Sequence, residues 1–563
     1  MGIACGPLLR GAAVAAATGL MMTGAAAAAA IEPAAADASG PARAATALDA
    51  SGPAAAARTG SAPRLAAAGG SQVTPIPEDP FASSVTPFLG APAAAAPVSA
   101  GPAVWQNPFM APNGSSELHN DAYQSDNNTA TGPLGQRPAV TSAGYDQECA
   151  STTFDSQGRL LSVCVGAVRP TLRLLDPHTL ATLASFDLPP RSASSLSSPF
   201  TSFGGGGYFY LDHHDQAVIP ANDGHIDVIG EAGTAAQPEL TLLRSYDVTS
   251  YAASSPILSA LPDSSGRLWF VTGSGVVGTV DTASGAVRAA QLPSGETIGN
   301  SFAVDETGGV FIVSDHALYR FDAGPDGQPV STWRQPYDSG TRQKPGQSEY
   351  GSGTTPTIVR SGGHNYVAIT DNADPRMHVL VYRADKSGPG PSPVCEIPVF
   401  QSGQSDTDNS LIAFGDSLIV ENNYGYTGPE QPGTDPLRPT PTTTPGLTRI
   451  DVSYATGGCH QAWANNTVRI PSSVSKSSTA AGLVYVYSHP AANEVQYSGP
   501  HPQAEDPWYL TAIDIRTGRQ VWSRLAGVGF GYDNNYAPIT VGPDGSAYVG
   551  VLGGLLAVHD GPG

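Results

Sequence analysis

Charge is sparse in this chain. Only 13% of its 563 residues are Asp, Glu, Lys or Arg, and 27 basic side chains face 48 acidic ones, a formal net charge of −21. With no basic stripe anywhere, nucleic acid is not an expected partner. No stretch beyond the N-terminus approaches eighteen uninterrupted apolar residues, so no stable membrane insertion is expected. No segment keeps a helical period for twelve residues, which argues against helical folds. Motifs of the commoner chemistries are missing too: there is no G-x-S-x-G elbow, H-E-x-x-H, Walker loop, or G-x-G-x-x-G opening a helix. Gly204 to Gly207 precedes a strand and reads as a loop.

Cysteine is scarce, with five residues in all. Cys5 precedes the apolar run Gly11–Thr23, which with Arg10 and the alanine tract to Ala30 has the form of a secretory signal peptide. Residues 1–33 are therefore expected to direct secretion, and no second arginine adjoins Arg10 to support twin-arginine export. The four remaining cysteines are an even count in an exported chain, which favours disulfides over a metal site. Cys149 and Cys164 are equidistant from the turn Asp155–Gly158, so a cross-strand bridge is expected there. Cys395 and Cys459 are then expected to pair by default.

What the chain has in abundance is punctuation: 65 glycines and 50 prolines. Residues 34–103 are an Ala/Pro/Gly/Ser mixture with few aromatics and read as a disordered linker. From residue 104 to 563, short runs of Val, Ile, Leu, Phe and Tyr alternate with turn residues. Two signatures recur in this region. One is strand, D-x-x-G turn, strand, as in TTFDSQGRLLSV and FAVDETGGVFIV. The other is an apolar strand ending in Asp, at Asp176, Asp281, Asp322, Asp385, Asp451, Asp514 and Asp560, with Glu231 near the corresponding place in one further unit. Two hairpins per unit make a four-stranded antiparallel blade, and the repeats make an all-β propeller, eight blades favoured over seven. The last unit holds only three strands, so the segment from Trp105 to about Thr141 is expected to supply the fourth and close the ring.

The stretch YLTAIDIRTGRQVWS, with Ala512, Asp514, Thr517, Gly518 and Trp522, resembles the blade-closing motif of the PQQ-like (quinoprotein alcohol dehydrogenase-like) propeller repeat. In that motif the tryptophan docks between neighbouring blades. Weaker copies lie at Asp322 with Trp333 and Asp451 with Trp463, and the resemblance spans roughly residues 145–560. It implies the fold. The adjacent Cys-Cys pair typical of quinone sites and any C-x-x-C-H are absent, so PQQ itself is not expected.

Loops between the second and third strands, and loops between blades, converge on one mouth of a propeller's channel. Asp212-His213-His214-Asp215 falls in a turn on the opposite rim and is set aside. The mouth collects carboxylates and amides. Asp406, Glu421, Asn422, Asp533 and Asn534 are the candidate metal ligands, their oxygens suiting calcium. Asp315, Asp371, Asn372, Asp408 and Tyr424 are candidate ligand-binding residues. His316 and His489 are candidate proton-transfer residues. The polar run Glu117–Tyr123 reads as the clasp of the ring or a lip of the site. A secreted monomer binding an extracellular small molecule, peptide or glycan is expected. A calcium-dependent hydrolase or lyase, and a quinone-dependent dehydrogenase, are the alternatives, and whether the protein is an enzyme is left open.

Overall fold

A computed structural model describes residues 46–47, 73–191, 204–253, 255–390, 392–429, 442–498 and 506–561. The expected signal peptide lies outside these residues. Turn chemistry explains the hairpins. After the strand Glu148–Phe154, Asp155 Oδ1 accepts from the backbone N–H of Gln157 (2.9 Å) and Arg159 (2.8 Å), while Gly158 sits at φ +77°. The same arrangement recurs at Asp263 with Gly266 and at Asp305 with Gly308. Each carboxylate fixes a turn that only a residue tolerant of positive φ completes.

These hairpins assemble into eight antiparallel blades of four strands. Blade I comprises Glu148–Phe154, Leu160–Val165, Pro170–Leu175 and Thr182–Asp187. Blades II to VIII follow in order, their innermost strands being Tyr210–Leu211, Ile257–Pro262, Ala303–Val304, Thr357–Ser361, Ile412–Phe414, Lys476–Ser478 and Ile539–Val541. Apolar residues between neighbouring blades form a chain of clusters that returns to its start. Leu172 and Ile219 share a cluster across I and II, Phe311 and Ile369 share one across IV and V, and the Tyr548 ring packs against Phe154 across VIII and I. Alternation along the strands makes this possible: both faces of a blade bury apolar side chains, so the propeller has no single core but a seam at every blade boundary.

Ring closure agrees with expectation. Ala139–Gly144 is the outer strand of blade VIII, paired antiparallel with Gly554–His559 from Gly144↔Gly554 to Ala139↔His559. Asp560 secures the joint by accepting from the backbone N–H of Leu134 (2.7 Å) and Gln136 (2.8 Å). Both disulfides are present: Cys149 opposes Cys164 within blade I, and Cys395–Cys459 ties the outer strands of blades V and VI. Trp333 and Trp463 dock between blades, each indole N–H donating to a carbonyl of the next blade, Asp385 O (3.0 Å) and Ile515 O (2.8 Å).

The reading of 34–103 as a featureless linker needs correction for the part that is described. Phe88–Gly90 adds a strand outside blade VII, pairing with Trp522–Arg524, and Thr46–Ala47 pairs with Ala290 and Gln291 of blade III. Ile76 and Val85 are buried, and Ala93, Ala96 and Val98 donate backbone hydrogen bonds to the body of the propeller. Such attachment runs through backbone groups that every residue possesses, which is why composition does not reveal it.

Candidate functional site

The run read as clasp or lip is a plug. Residues 107–128 cross the rim that carries the first turn of each blade, and inner strands of five blades, II and IV to VII, donate hydrogen bonds to the run. Leu211 N donates to Ser116 O (2.7 Å), Val304 N to Ala122 O, Ile358 N to Tyr123 O and Ala413 N to Ser125 O (each 2.8 Å), and Ser477 N to Asp126 O (3.0 Å). The path needs sharp reversals, made at Asn120, Gln124 and Asp126, all in the left-handed region (φ +80°, +59° and +52°). Asp121 accepts from Tyr123 N, Ser125 N and the Ser125 hydroxyl, which ties the second reversal.

Above the plug, on the axis, lies a cavity of about 50 Å³ whose wall takes residues from the plug and from most blades. At its floor Asp126 accepts from His119 Nδ1 (3.0 Å) and from the fully buried Lys476, whose ammonium also donates to Leu118 O. Since Nδ1 carries the proton toward Asp126, Nε2 is left as the free ring nitrogen, and it has no hydrogen-bond partner. Burial holds the His119 imidazole below its ordinary pKa, so the neutral ring is favoured.

The roof is the loop leading into blade VI. Asp408 Oδ2 accepts from the backbone N–H and hydroxyl of Ser348, while Oδ1 has no partner. Asn409 Nδ2 donates to Glu421 and to Ser472 O, which fixes its orientation and leaves Oδ1 unpartnered. Burial raises Asp408 to about 7 and Glu421 to about 8. Asp406 also has two unpartnered oxygens. Its carboxyl is pushed well above the usual range, first by burial and then by the charge of Asp408.

Outside the cavity a vestibule of about 370 Å³ shares Ser348, Asn535 and Tyr536 with it. Residues 337–353, between blades IV and V, form one wall. Lys344 Nζ donates to Ala373 O (2.7 Å) and Ser405 O (3.2 Å), and Asn372 Nδ2 donates to Ser339 O and Arg342 O. Gly346, at φ +116°, lies so close to blade VI that a Cβ would stand 2.3 Å from Asn423 O and 2.7 Å from Asp406 Oδ1. Tyr426 closes the other side, edge-on to Tyr536 at 5.7 Å between ring centres.

The mouth residues expected from sequence therefore divide. Asp406, Asp408 and Asn422 come together: Asn422 Oδ1 accepts from Asp406 N (3.3 Å). Asn422 and Asn534 are loop staples, the latter donating to Ala537 O and Gly550 O. Glu421 lies one layer outward, and the charge of Asp533 acts on Tyr426. Among the described residues no three His, Cys, Asp or Glu side chains are grouped to hold a metal ion. Asp315 and Asp371 pair instead with His316 and His378 (2.8 Å each), and Tyr424 engages through its backbone. The two histidines expected to transfer protons do not line the cavity. His316 is half-exposed, and His489 is buried against Trp508 (ring centres 4.5 Å apart) and paired with Asp506. Asp212–Asp215 occupies the first turn of blade II, on the plug side, as expected.

No family model matches the chain. It is similar to an uncharacterized protein of Archaeoglobus fulgidus, 28% identical over 314 residues, which are 52% of this chain and 58% of that protein. The chain thus spans about 58% of the curated relative it matches. Among solved structures it is similar to BamB from Moraxella catarrhalis (14% identity, 76% of this chain and 95% of that one, TM-score 0.39). It is also similar to Sqt1 from Chaetomium thermophilum (10%, 83% and 100%, 0.42) and virginiamycin B lyase from Staphylococcus aureus (11%, 64% and 95%, 0.33). The eight blades rest on the chain's own strand pairing.

Proposed function

We propose that the protein is a secreted propeller of the PQQ-like kind that binds an extracellular small molecule, or the end of a glycan, in the axial cavity and its vestibule. One observation carries this reading: Asp408 Oδ1, Asn409 Oδ1 and His119 Nε2 are buried, lack hydrogen bonds and belong to residues lining one cavity. Leaving such groups unmatched costs about 1–3 kcal/mol each, which an occupant would offset. A vestibule of about 370 Å³ falls within the usual size range of ligand pockets. Two disulfides suit an oxidising compartment, and no described helix is long and apolar enough to cross a membrane. The test is calorimetric titration of a small-molecule and glycan panel into wild type and Tyr536→Ala. The reading expects at least one saturable ligand, weakened by the substitution. A panel with no binder, or a binder indifferent to Tyr536, would overturn it.

The His119–Asp126 pair favours hydrolase or lyase activity as a second reading, since a carboxylate that fixes Nδ1–H leaves Nε2 as a base. Turnover would then vanish in His119→Gln and persist in His316→Ala.

A further inference from the structure

Every buried side-chain polar atom of the cavity-lining residues that lacks a hydrogen-bond partner is an acceptor. Asp408 Oδ1 and Asn409 Oδ1 are oxygens whose orientation is set by bonds made on their other side, and His119 Nε2 is the lone-pair nitrogen of the Nδ1–H tautomer. Both tyrosine hydroxyls nearby are committed: Tyr208 donates to Asn300 Oδ1 (3.3 Å) and Tyr536 to Gly346 O (3.4 Å). The two buried lysines are engaged as well, Lys476 by Leu118 O and Asp126, Lys344 by Ala373 O and Ser405 O. An anion entering here would meet these three acceptors.

We propose that the axial cavity recognises a primary ammonium group, its three N–H donors shared among Asp408, Asn409 and His119. The inference rests on the binding reading above and names the chemistry of the group that enters deepest. One cationic donor set meets three separate needs: it supplies the hydrogen bonds, compensates the buried carboxylate, and fits a space with room for a few heavy atoms. A sugar hydroxyl offers one donor and no charge. The rest of the ligand occupies the vestibule past Tyr536.

The probe is methylammonium chloride, titrated calorimetrically into the full chain against sodium chloride at equal ionic strength. Tetramethylammonium, which has no N–H, and sodium acetate are the comparisons. The expected result is saturable methylammonium binding, none by the other two, and at least a tenfold loss in Asp408→Asn, the loss that corresponds to about 1.4 kcal/mol. If Asp408→Asn fails to fold, the wild-type contrast between methylammonium and tetramethylammonium still decides. Equal responses to both, or none to methylammonium while a neutral panel ligand binds, would overturn the ammonium assignment and leave the binding reading standing. No binding by any probe or panel member would remove both.

Discussion

At the scale of single residues, Lys476 holds the floor of the site. It is fully buried in a strand otherwise made of small polar residues, and its ammonium faces Asp126, itself fully buried. Removing one partner of such a pair strands the other's charge, whereas removing both does not. Lys476→Met is therefore expected to lower unfolding free energy by about 3–5 kcal/mol in urea titrations, and Lys476→Met with Asp126→Asn to lower it by clearly less. A double variant as damaged as the single one would contradict the pairing. Lys476 was not legible in the sequence. A lysine among serines reads as a solvated strand position, and only the arrival of residues 107–128 at its end buries it. His119 was hidden for the same reason. The run around it stood out by polarity, but a plug has no periodicity to announce it.

Elements were more legible, because each is set by local chemistry. The D-x-x-G turns placed the hairpins, and the symmetry of Cys149 and Cys164 about Gly158's turn placed the first disulfide. Its closed loop is 15 residues, while Cys395–Cys459 spans 64 and joins two blades. On loop entropy alone the first contributes about 3 kcal/mol and the second about 1 kcal/mol more. Replacing each pair by serines should reproduce that order in urea midpoints under oxidising conditions, and a costlier first pair would contradict it. What local chemistry did not convey was the role of the mouth asparagines. Asn is a good turn former, a staple between loops and a ligand-binding group, and its identity alone does not separate these uses. Asn422 and Asn534 prove to be staples. Asn409, next to Asp408 in the loop that enters blade VI, keeps a free oxygen because Glu421 and Ser472 bind its other end.

For the whole molecule, repetition decides the fold and its interruption decides the site. Eight blades close through Ala139–Gly144, and the chain just before that strand plugs one end of the channel, leaving the acidic end to solvent through the vestibule. The channel then concentrates acids that water barely reaches. Burial raises Asp121 and Asp408 to about 7 and Glu148 and Glu421 to about 8, and it raises Asp406 and Glu117 well above the ordinary range. A carboxyl that titrates higher in the folded chain than in the unfolded one contributes stability below the unfolded pKa of about 4 and loses it as pH rises through 7 to 8. His119, whose pKa burial lowers, acts in the opposite sense over this range, but it is one group against these six. A bound ammonium group favours the ionised form of Asp408, so it should offset the loss where Asp408 is deprotonated. The decisive measurement is thermal unfolding from pH 5 to pH 8, with and without methylammonium at matched ionic strength. The midpoint is expected to fall toward pH 8, and the methylammonium-induced rise to be larger at pH 8 than at pH 5. A midpoint flat or rising over that range, or a rise equalled by sodium, would contradict this expectation.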